Sequence, residues 1–153
     1  RAGNTDDPAR LEALLRLLVG LDIPVVLPLH PRTRKAATAA GLDALLSRKT
    51  LRVLAPQPYI RTMVLARHAR RIFTDSGGLQ KEAFYLGVPC TTVREETEWV
   101  ETVELGWNVL VGVDAARARA SLDLPAPPPV LSPPYGDGNA GRLLAEELHR
   151  RLG

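Results

Sequence analysis

The residues best suited to chemistry lie near the middle of the chain, where two adjacent glycines separate a strand-like run from a helix-like run. Residues 72–82 read IFTDSGGLQKE. Ligands of open α/β sheets bind beyond the carboxyl ends of the strands, and the free amides at a helix N-terminus attract anions. Gly77 and Gly78 let the backbone approach a ligand closely because they lack a Cβ, and Ser76 supplies a hydroxyl. The pattern predicts a phosphate site.

Glu82 lies one helical turn beyond Gly78. From there its carboxylate can accept hydrogen bonds from two adjacent ribose hydroxyls, as acidic residues do in dinucleotide sites. On spacing alone a second interpretation stays open, in which Ser-Gly-Gly is only a tight turn and Glu82 is a solvated helix residue. The spacing is therefore typical of a nucleotide site without requiring one.

Strands and helices alternate on both sides of this stretch. Asp7, Pro8 and the leucine spacing that follows predict a helix ending near Gly20. Residues 23–29 are almost wholly apolar and predict a strand buried on both faces. Further strands are predicted at 51–54, 71–74, 89–93 and 107–111, and further helices at 33–40, 59–68 and 79–86. This alternation predicts an α/β fold with a Rossmann-like open parallel sheet and helices on both faces.

The end of the chain has a different character. Proline density at 125–129 predicts extended surface chain, and 134–139 is predicted to be a loop. Residues 140–152 predict an amphipathic helix whose apolar side chains face inward. These side chains are Leu143, Leu144, Leu148 and Leu152.

Composition limits the classes of function. The 153 residues fit one domain, and the longest apolar run is too short to cross a bilayer. The net charge of +3 comes from basic residues mixed with acidic ones, which does not favour nucleic-acid binding. The sequence has no cluster at metal-ligand spacing. The single cysteine, Cys90, favours a reducing compartment, and its apolar setting predicts a packed thiol. The polar start without Met indicates a fragment.

Four segments carry a resemblance to a known family. They are TDSGGLQKEA at 74–83, LGVP at 86–89, REETE at 94–98 and PYGDGNA at 134–140. Together they closely resemble the C-terminal half of the non-hydrolysing UDP-N-acetylglucosamine 2-epimerases. Residues 1–4 resemble the end of that family's His-Arg-x-Glu-Asn motif, and 28–30 resemble its Pro-Val-His segment. The resemblance implies one half of the two-domain GT-B fold shared with many glycosyltransferases, with a UDP-sugar bound between the domains.

The resemblance also implies roles for individual residues in UDP binding. Ser76, Gly77 and Gly78 match positions at the diphosphate, and Glu82 matches a position on the ribose hydroxyls. The backbone around Thr62 matches the uracil site. The turn thereby becomes a predicted UDP site.

Four further residues are expected to face the cleft. Arg1 and His30 match positions near the phosphates, whereas Arg94 and Glu98 match positions on the sugar side. For His30 the alternative is a histidine satisfied by a neighbouring backbone group. For Arg94 and Glu98 the alternative is an ordinary salt bridge.

Three positions depart from the family pattern. Gly3 stands where the family usually has Glu, Lys81 where it often has another acid, and Trp99-Val100 where many members have Arg-Pro. These differences concern the sugar and the subfamily more than the UDP group.

By resemblance, the intact enzyme would convert UDP-N-acetylglucosamine to UDP-N-acetylmannosamine in the cytoplasm, for cell-envelope polysaccharide biosynthesis. The reaction eliminates and re-adds UDP and needs no cofactor or metal. The carboxylates credited with acid–base work belong to an N-terminal domain, so residues 1–153 are predicted to be a UDP-binding C-terminal domain that is inactive alone. The intact enzyme could be a homodimer. The alternatives are the donor domain of a GT-B glycosyltransferase and a non-catalytic module that senses nucleotide sugars.

Overall fold

The computed structural model describes residues 2–130 and 134–152. Within these ranges helices alternate with strands, as the sequence predicts. The strands are β1 (Val25–Pro28), β2 (Leu51–Leu54), β3 (Ile72–Thr74), β4 (Cys90–Thr92) and β5 (Asn108–Leu110). The helices are α1 (Ala2–Thr5), α2 (Pro8–Val19), α3 (Pro31–Ala39), α4 (Asp43–Leu46), α5 (Tyr59–Arg67), α6 (Gly77–Leu86), α7 (Val100–Glu104), α8 (Ala115–Ser121) and α9 (Ala140–Leu152).

Local signals set the ends of the main helices. The Asp7 carboxylate accepts from the Ala9 amide at the start of α2, with Pro8 in the first helical position. Gly87 ends α6 in a left-handed conformation, with φ of +67°, which glycine adopts without strain. The predicted strands and helices are therefore present, with ends within two residues of the prediction. The short helices α1, α4, α7 and α8 were not predicted, because so few residues show little periodicity.

All pairing between the described strands is parallel. Val25 of β1 lies opposite Leu51 of β2. Ile72 of β3 lies opposite Cys90 of β4, which in turn lies opposite Asn108 of β5. Over the described residues, β1 and β2 form one sheet and β3, β4 and β5 form a second.

Helices cover both faces of the sheet formed by β3, β4 and β5. On one face, Leu17 of α2 and Ala118 of α8 form a core cluster against which Phe73 packs. On the other face, Ala66 of α5 and Ala83 of α6 form a cluster with Ile72, Val88 and Cys90. The predicted α/β fold with helices on both faces is confirmed. No helix in the described ranges has the length and apolar character needed to cross a membrane.

β4 is the best buried strand, whereas β1 is not buried on both faces as predicted. Cys90 is buried, and burial raises the pKa of its thiol to about 12, as expected of a packed cysteine. In β1, half-buried and exposed residues alternate, and Val26 is 45% exposed. The prediction for β1 was wrong because only one face of β1 packs against a core cluster, through Val25 and Leu27, whereas Val26 on the other face is exposed.

The C-terminal helix α9 forms over the predicted residues, but its leucines do not face inward. Leu143, Leu144, Leu148 and Leu152 are all exposed, because none of the described elements covers this face of α9. Ion pairs from Glu147 to Arg150 and Arg151 support the helix from within.

Candidate functional site

The glycine turn joins the end of β3 to the start of α6. The Ser76 amide donates to Thr74 Oγ1 at 3.0 Å, and Ser76 Oγ accepts from the Leu79 amide at 3.4 Å. The first amides of a helix have no acceptor within the helix, so those of Gly77 and Gly78 are available to a ligand. The turn therefore has the anion-attracting geometry that the sequence predicts.

The two glycines have different surroundings. A Cβ on Gly77 would collide with the Glu98 carboxylate and would lie 3.3 Å from Trp99 Nε1. A Cβ on Gly78 would meet only Ser76 Oγ, at 3.8 Å. Gly77 is thus covered by the chain itself, and the open approach to the turn is at Gly78.

Arg94 and Glu98 form a salt bridge beside the turn, which was the alternative to a role on the sugar side of the cleft. Arg94 Nη1 donates to Glu98 Oε2 at 2.9 Å. The Arg94 side chain is only 12% exposed, and that of Glu98 is 41% exposed. Because the Glu98 carboxylate lies against Gly77, it places a negative charge at the positive end of the α6 dipole.

Glu82 lies one turn into α6 and is half-buried. The Glu82 carboxylate lies beside the Tyr59 hydroxyl and raises the pKa of Tyr59, first through hydrogen bonding and then through its negative charge. The Tyr59 residue is 62% exposed. An exposed ring beside a carboxylate offers a stacking surface next to a hydrogen-bond acceptor, which suits a nucleoside.

Thr62 lies in the second turn of α5. Its amide donates to the Pro58 carbonyl at 3.0 Å, so it is committed to the helix. Its hydroxyl also donates to the Pro58 carbonyl, at 3.3 Å. The amides without a helical acceptor are those of residues 59–61, which begin α5. Contact between uracil and the backbone around Thr62 remains a prediction, now centred on these residues.

His30 caps α3. Its Nδ1 accepts from the Arg32 amide at 3.2 Å, and the side chain is exposed. The structure thus shows the alternative role, a histidine satisfied by a neighbouring backbone group. His30 follows β1 as Ser76 follows β3, so both lie beyond carboxyl ends of strands. Arg1 lies outside the described residues.

Asp75 is tied to the start of the chain. Asn4 Nδ2 donates to Asp75 Oδ2 at 3.0 Å. Burial raises the pKa of the Asp75 carboxyl, but hydrogen bonds, including the one from Asn4, outweigh burial and hold the pKa below its usual value. Asp75 is therefore a charged anchor behind the turn.

A buried polar network behind the turn was missed by sequence reasoning. Gln80 is fully buried, and its Oε1 accepts from Thr97 Oγ1 at 2.6 Å and from Asn108 Nδ2 at 3.1 Å. Asn108 also accepts from Thr92 Oγ1 at 2.8 Å and donates to Thr102 Oγ1 at 3.3 Å. The network ties α6 to the segment that carries Arg94 and Glu98. One feature of the sequence could have indicated the network: Gln80 lies three residues before Ala83, so both side chains are on the same, buried face of α6.

Lys81 links the turn to the loop at 134–139. Its Nζ lies 4.7 Å from the ring centroids of both Trp99 and Tyr135. The Tyr135 hydroxyl donates to Glu101 Oε2 at 3.0 Å, and burial, helped by this bond, raises the pKa of Tyr135 to about 12. Three separate sequence motifs therefore meet around α6. No group of His, Cys, Asp and Glu among the described residues is arranged to hold a metal ion.

Known proteins have sequences and folds similar to those of this chain. The family model described as UDP-N-acetylglucosamine 2-epimerase matches residues 1–149. The UDP-2,3-diacetamido-2,3-dideoxy-D-glucuronate 2-epimerase of Pseudomonas aeruginosa is 41% identical over 97% of this chain. The UDP-N-acetylglucosamine 2-epimerase of Methanocaldococcus jannaschii is 34% identical over 97%. The chain spans about 42% of the length of each of these two relatives.

A solved structure of the Methanocaldococcus jannaschii UDP-GlcNAc 2-epimerase, in complex with UDP-GlcNAc and UDP, has a similar fold. It superimposes with a TM-score of 0.87 at 33% sequence identity. The superposition covers 98% of this chain and 43% of that one. The similarity therefore extends over nearly all of this chain and under half of the larger protein.

Proposed function

Because the chain belongs to the UDP-N-acetylglucosamine 2-epimerase family, we propose that residues 1–153 form the C-terminal, UDP-binding domain of a UDP-sugar 2-epimerase. The observation that carries this proposal is the turn at 76–78. Its free amides at the N-terminus of α6 lie one helical turn from the half-buried Glu82. This spacing matches a diphosphate followed by a ribose.

Each part of UDP has a partner of suitable chemistry. The diphosphate binds the amides of Gly77 and Gly78, where the helix dipole contributes about half a positive charge. The Glu82 carboxylate accepts from the ribose hydroxyls, and the exposed Tyr59 ring contacts the nucleoside beside it. Bound diphosphate repels the Glu98 carboxylate, so Glu98 turns away from Gly77 and Arg94 becomes available to the phosphates.

The proposed reaction divides the chemistry between two domains. A base removes the proton at C2 of the sugar while the C1–O bond to the diphosphate breaks, and the electron pair of that bond leaves with UDP. UDP then adds back to C1 of the resulting glycal as a proton is delivered to the opposite face of C2. The turn stabilises the charge that develops on the departing diphosphate.

We assign proton abstraction to the N-terminal domain of the intact enzyme. The carboxylates around the turn already have neighbours in this chain, because Asp75 accepts from Asn4, Glu98 pairs with Arg94, and Glu82 lies beside the Tyr59 hydroxyl. A catalytic base has to lie within hydrogen-bond reach of the proton it removes. This domain alone is therefore expected to bind UDP without turnover.

The sugar we propose is a 2-acetamido sugar. The names of both relatives specify a UDP-linked sugar with nitrogen at C2 that is inverted at that carbon. Family membership also favours an epimerase over the donor domain of a glycosyltransferase. We place the protein in the cytoplasm, in keeping with its buried single thiol, Cys90.

Titration with UDP, followed by amide NMR of the chain, tests the binding proposal. We expect shifts at Gly77, Gly78 and Glu82 at about 1 mM UDP, which half-saturates a site whose Kd is about 1 mM. UMP lacks the β-phosphate, so it should shift Glu82 but move the two glycine amides much less. Spectra unchanged by UDP would contradict the site. Exchange of the C2 proton of UDP-N-acetylglucosamine with D₂O, catalysed by this chain alone, would contradict the assignment of the base.

A further inference from the structure

Three buried side-chain nitrogens have no hydrogen-bond partner among the described residues. They are Gln80 Nε2, Trp99 Nε1 and Trp107 Nε1. A buried donor without an acceptor is costly, so each such group calls for an explanation. Gln80 belongs to the polar network behind the turn, and Trp107 packs in the core, with the Phe84 ring edge-on at 6.2 Å between centroids. Of the three, Trp99 Nε1 is the one beside the glycine turn, 3.3 Å from where a Cβ of Gly77 would lie.

The nitrogen edge of the Trp99 indole faces the turn. Nε1 is the atom of Trp99 closest to the Cβ position of Gly77. The indole N–H can only donate a hydrogen bond. The Gly77 amide is also a donor, and it has no acceptor within α6. The two groups cannot satisfy each other, and both require an acceptor from elsewhere.

The Glu98 carboxylate brings an acceptor to this position but does not pair with Trp99. It lies against Gly77 and accepts from Arg94 at 2.9 Å, while Trp99 Nε1 stays unpaired. The Glu98 side chain is 41% exposed, so it has room to turn toward solvent when an anion arrives. A phosphate in its place carries several oxygens in a tetrahedral arrangement. One of these oxygens can accept from the turn while another accepts from Trp99.

Contacts on several sides hold the indole in place. The Trp99 amide donates to Thr97 Oγ1 at 3.0 Å, and Thr97 Oγ1 donates to Gln80 of the buried network at 2.6 Å. The Tyr135 ring meets the indole edge-on, with 5.4 Å between centroids, and Lys81 Nζ lies over the indole ring, 4.7 Å from its centroid. A donor that is fixed before binding loses little side-chain freedom when its acceptor arrives.

The order of groups along α6 indicates which phosphate lies at Trp99. Gly78 lies one helical turn before Glu82, on the same face of the helix, and Glu82 is the proposed ribose contact. The α-phosphate is joined to the ribose, so it reaches Gly78. Gly77 is one residue closer to the start of α6 and remains for the β-phosphate. Trp99 covers Gly77, so the β-phosphate is the group that it meets.

We propose that Trp99 contacts the substrate, because its indole N–H donates a hydrogen bond to the β-phosphate of a nucleoside diphosphate. The phosphate oxygen takes the position beside Gly77 that the Glu98 carboxylate occupies in the free domain. This inference rests on the proposed UDP function. In the intact enzyme the β-phosphate belongs to the leaving group, and the indole N–H stabilises the charge that develops on it.

NMR of the indole N–H groups tests the contact without any substitution. The chain has two tryptophans, so the spectrum contains two indole signals, and either Trp→Phe substitution assigns them. We expect UDP to move the Trp99 signal downfield, as a new charge-assisted hydrogen bond does, and to leave the Trp107 signal in place. UMP lacks the β-phosphate, so it should leave the Trp99 signal near its free position.

Two matched substitutions measure the contribution to affinity. Trp99→Phe keeps an aromatic ring beside Tyr135 and Lys81 but removes the N–H, so the Kd for UDP should rise by about tenfold while the Kd for UMP stays unchanged. Trp107→Phe removes the other unpaired indole N–H, which lies in the core, and should change neither Kd.

The outcomes separate the role of Trp99 from UDP binding itself. A Trp99 signal unmoved by UDP, in spectra where the Gly78 amide shifts, would overturn the contact and leave the UDP site intact. An unchanged ratio of UDP and UMP affinities in Trp99→Phe would do the same. If neither the indole nor the glycine amides respond to UDP, the proposed function fails, and the role of Trp99 fails with it.

Discussion

Replacing Gly78 by alanine should raise stability and lower UDP affinity at the same time. In the free domain a Cβ at this position meets only Ser76 Oγ, at the ordinary contact distance of 3.8 Å, and Gly78 has no left-handed backbone that would strain alanine. Gly→Ala at a compatible position stabilises a protein by about 0.4–1 kcal/mol, chiefly through the unfolded chain. For a chain of this size the gain corresponds to a rise in Tm of roughly 1–4 °C.

The same methyl group projects into the open approach to the turn. A ligand phosphate held by the Gly78 amide has to come within hydrogen-bond distance of the backbone, and the Cβ prevents this. A lost hydrogen bond to a charged group costs about 1.5–3 kcal/mol, so UDP affinity should fall by about tenfold to a hundredfold. Opposite changes in the two quantities would be difficult to explain by misfolding.

Calorimetry supplies both measurements on one preparation, with scanning for Tm and titration for UDP. Gly77→Ala is the companion variant, because its Cβ meets the movable end of the Glu98 side chain and breaks the partly exposed pair with Arg94. Such a pair contributes at most about 1 kcal/mol, so its Tm should change little. If Gly78→Ala bound UDP as tightly as the unmodified chain, close backbone approach at the turn would be refuted.

The remaining predictions concern single side chains around α6. Glu82→Gln should weaken UDP binding by about tenfold, through loss of a charge-assisted hydrogen bond, and should remove any preference for UDP over 2′-deoxy-UDP; a preference retained in the variant would show that Glu82 does not contact the ribose. Glu98→Gln should tighten UDP binding by about fivefold at low salt, since it removes about 1 kcal/mol of repulsion, and titration at high salt should show a smaller gain. Asn108→Ala should lower stability by about 3 kcal/mol, because it leaves buried partners unsatisfied, whereas Asn139→Ala, at the exposed start of α9, should cost only about 1 kcal/mol in thermal melts.

Local patterns in the sequence predicted most of the secondary structure and the position of the turn. Capping residues and the leucine spacing fix α2, and the pair of glycines after β3 fixes the start of α6. These features can be predicted from the sequence because the residues involved lie within one helical turn of each other. Ser76 caps α6 through its contact with the Leu79 amide, a role that was not predicted although the contact is local.

The surroundings of the turn depended on contacts between distant parts of the chain. Nothing local in the sequence shows that Gly77 is covered by Glu98 and Trp99 while Gly78 is open, or that Gln80 is buried among hydroxyls. These contacts arise because parallel strands bring the segments after β3 and β4 to the same end of a sheet.

The sequence by itself predicted an α/β domain with a glycine turn at the start of a helix, because helix caps, glycines and hydrophobic spacing are local. Only the tertiary structure decided which faces are covered. The leucines of α9 have the spacing of a buried face and are exposed, and Val26 of the apolar strand β1 is 45% exposed. The spacing of apolar residues predicts that one face of a helix or strand is apolar. Whether that face is buried depends on tertiary contacts with residues that are distant in the sequence.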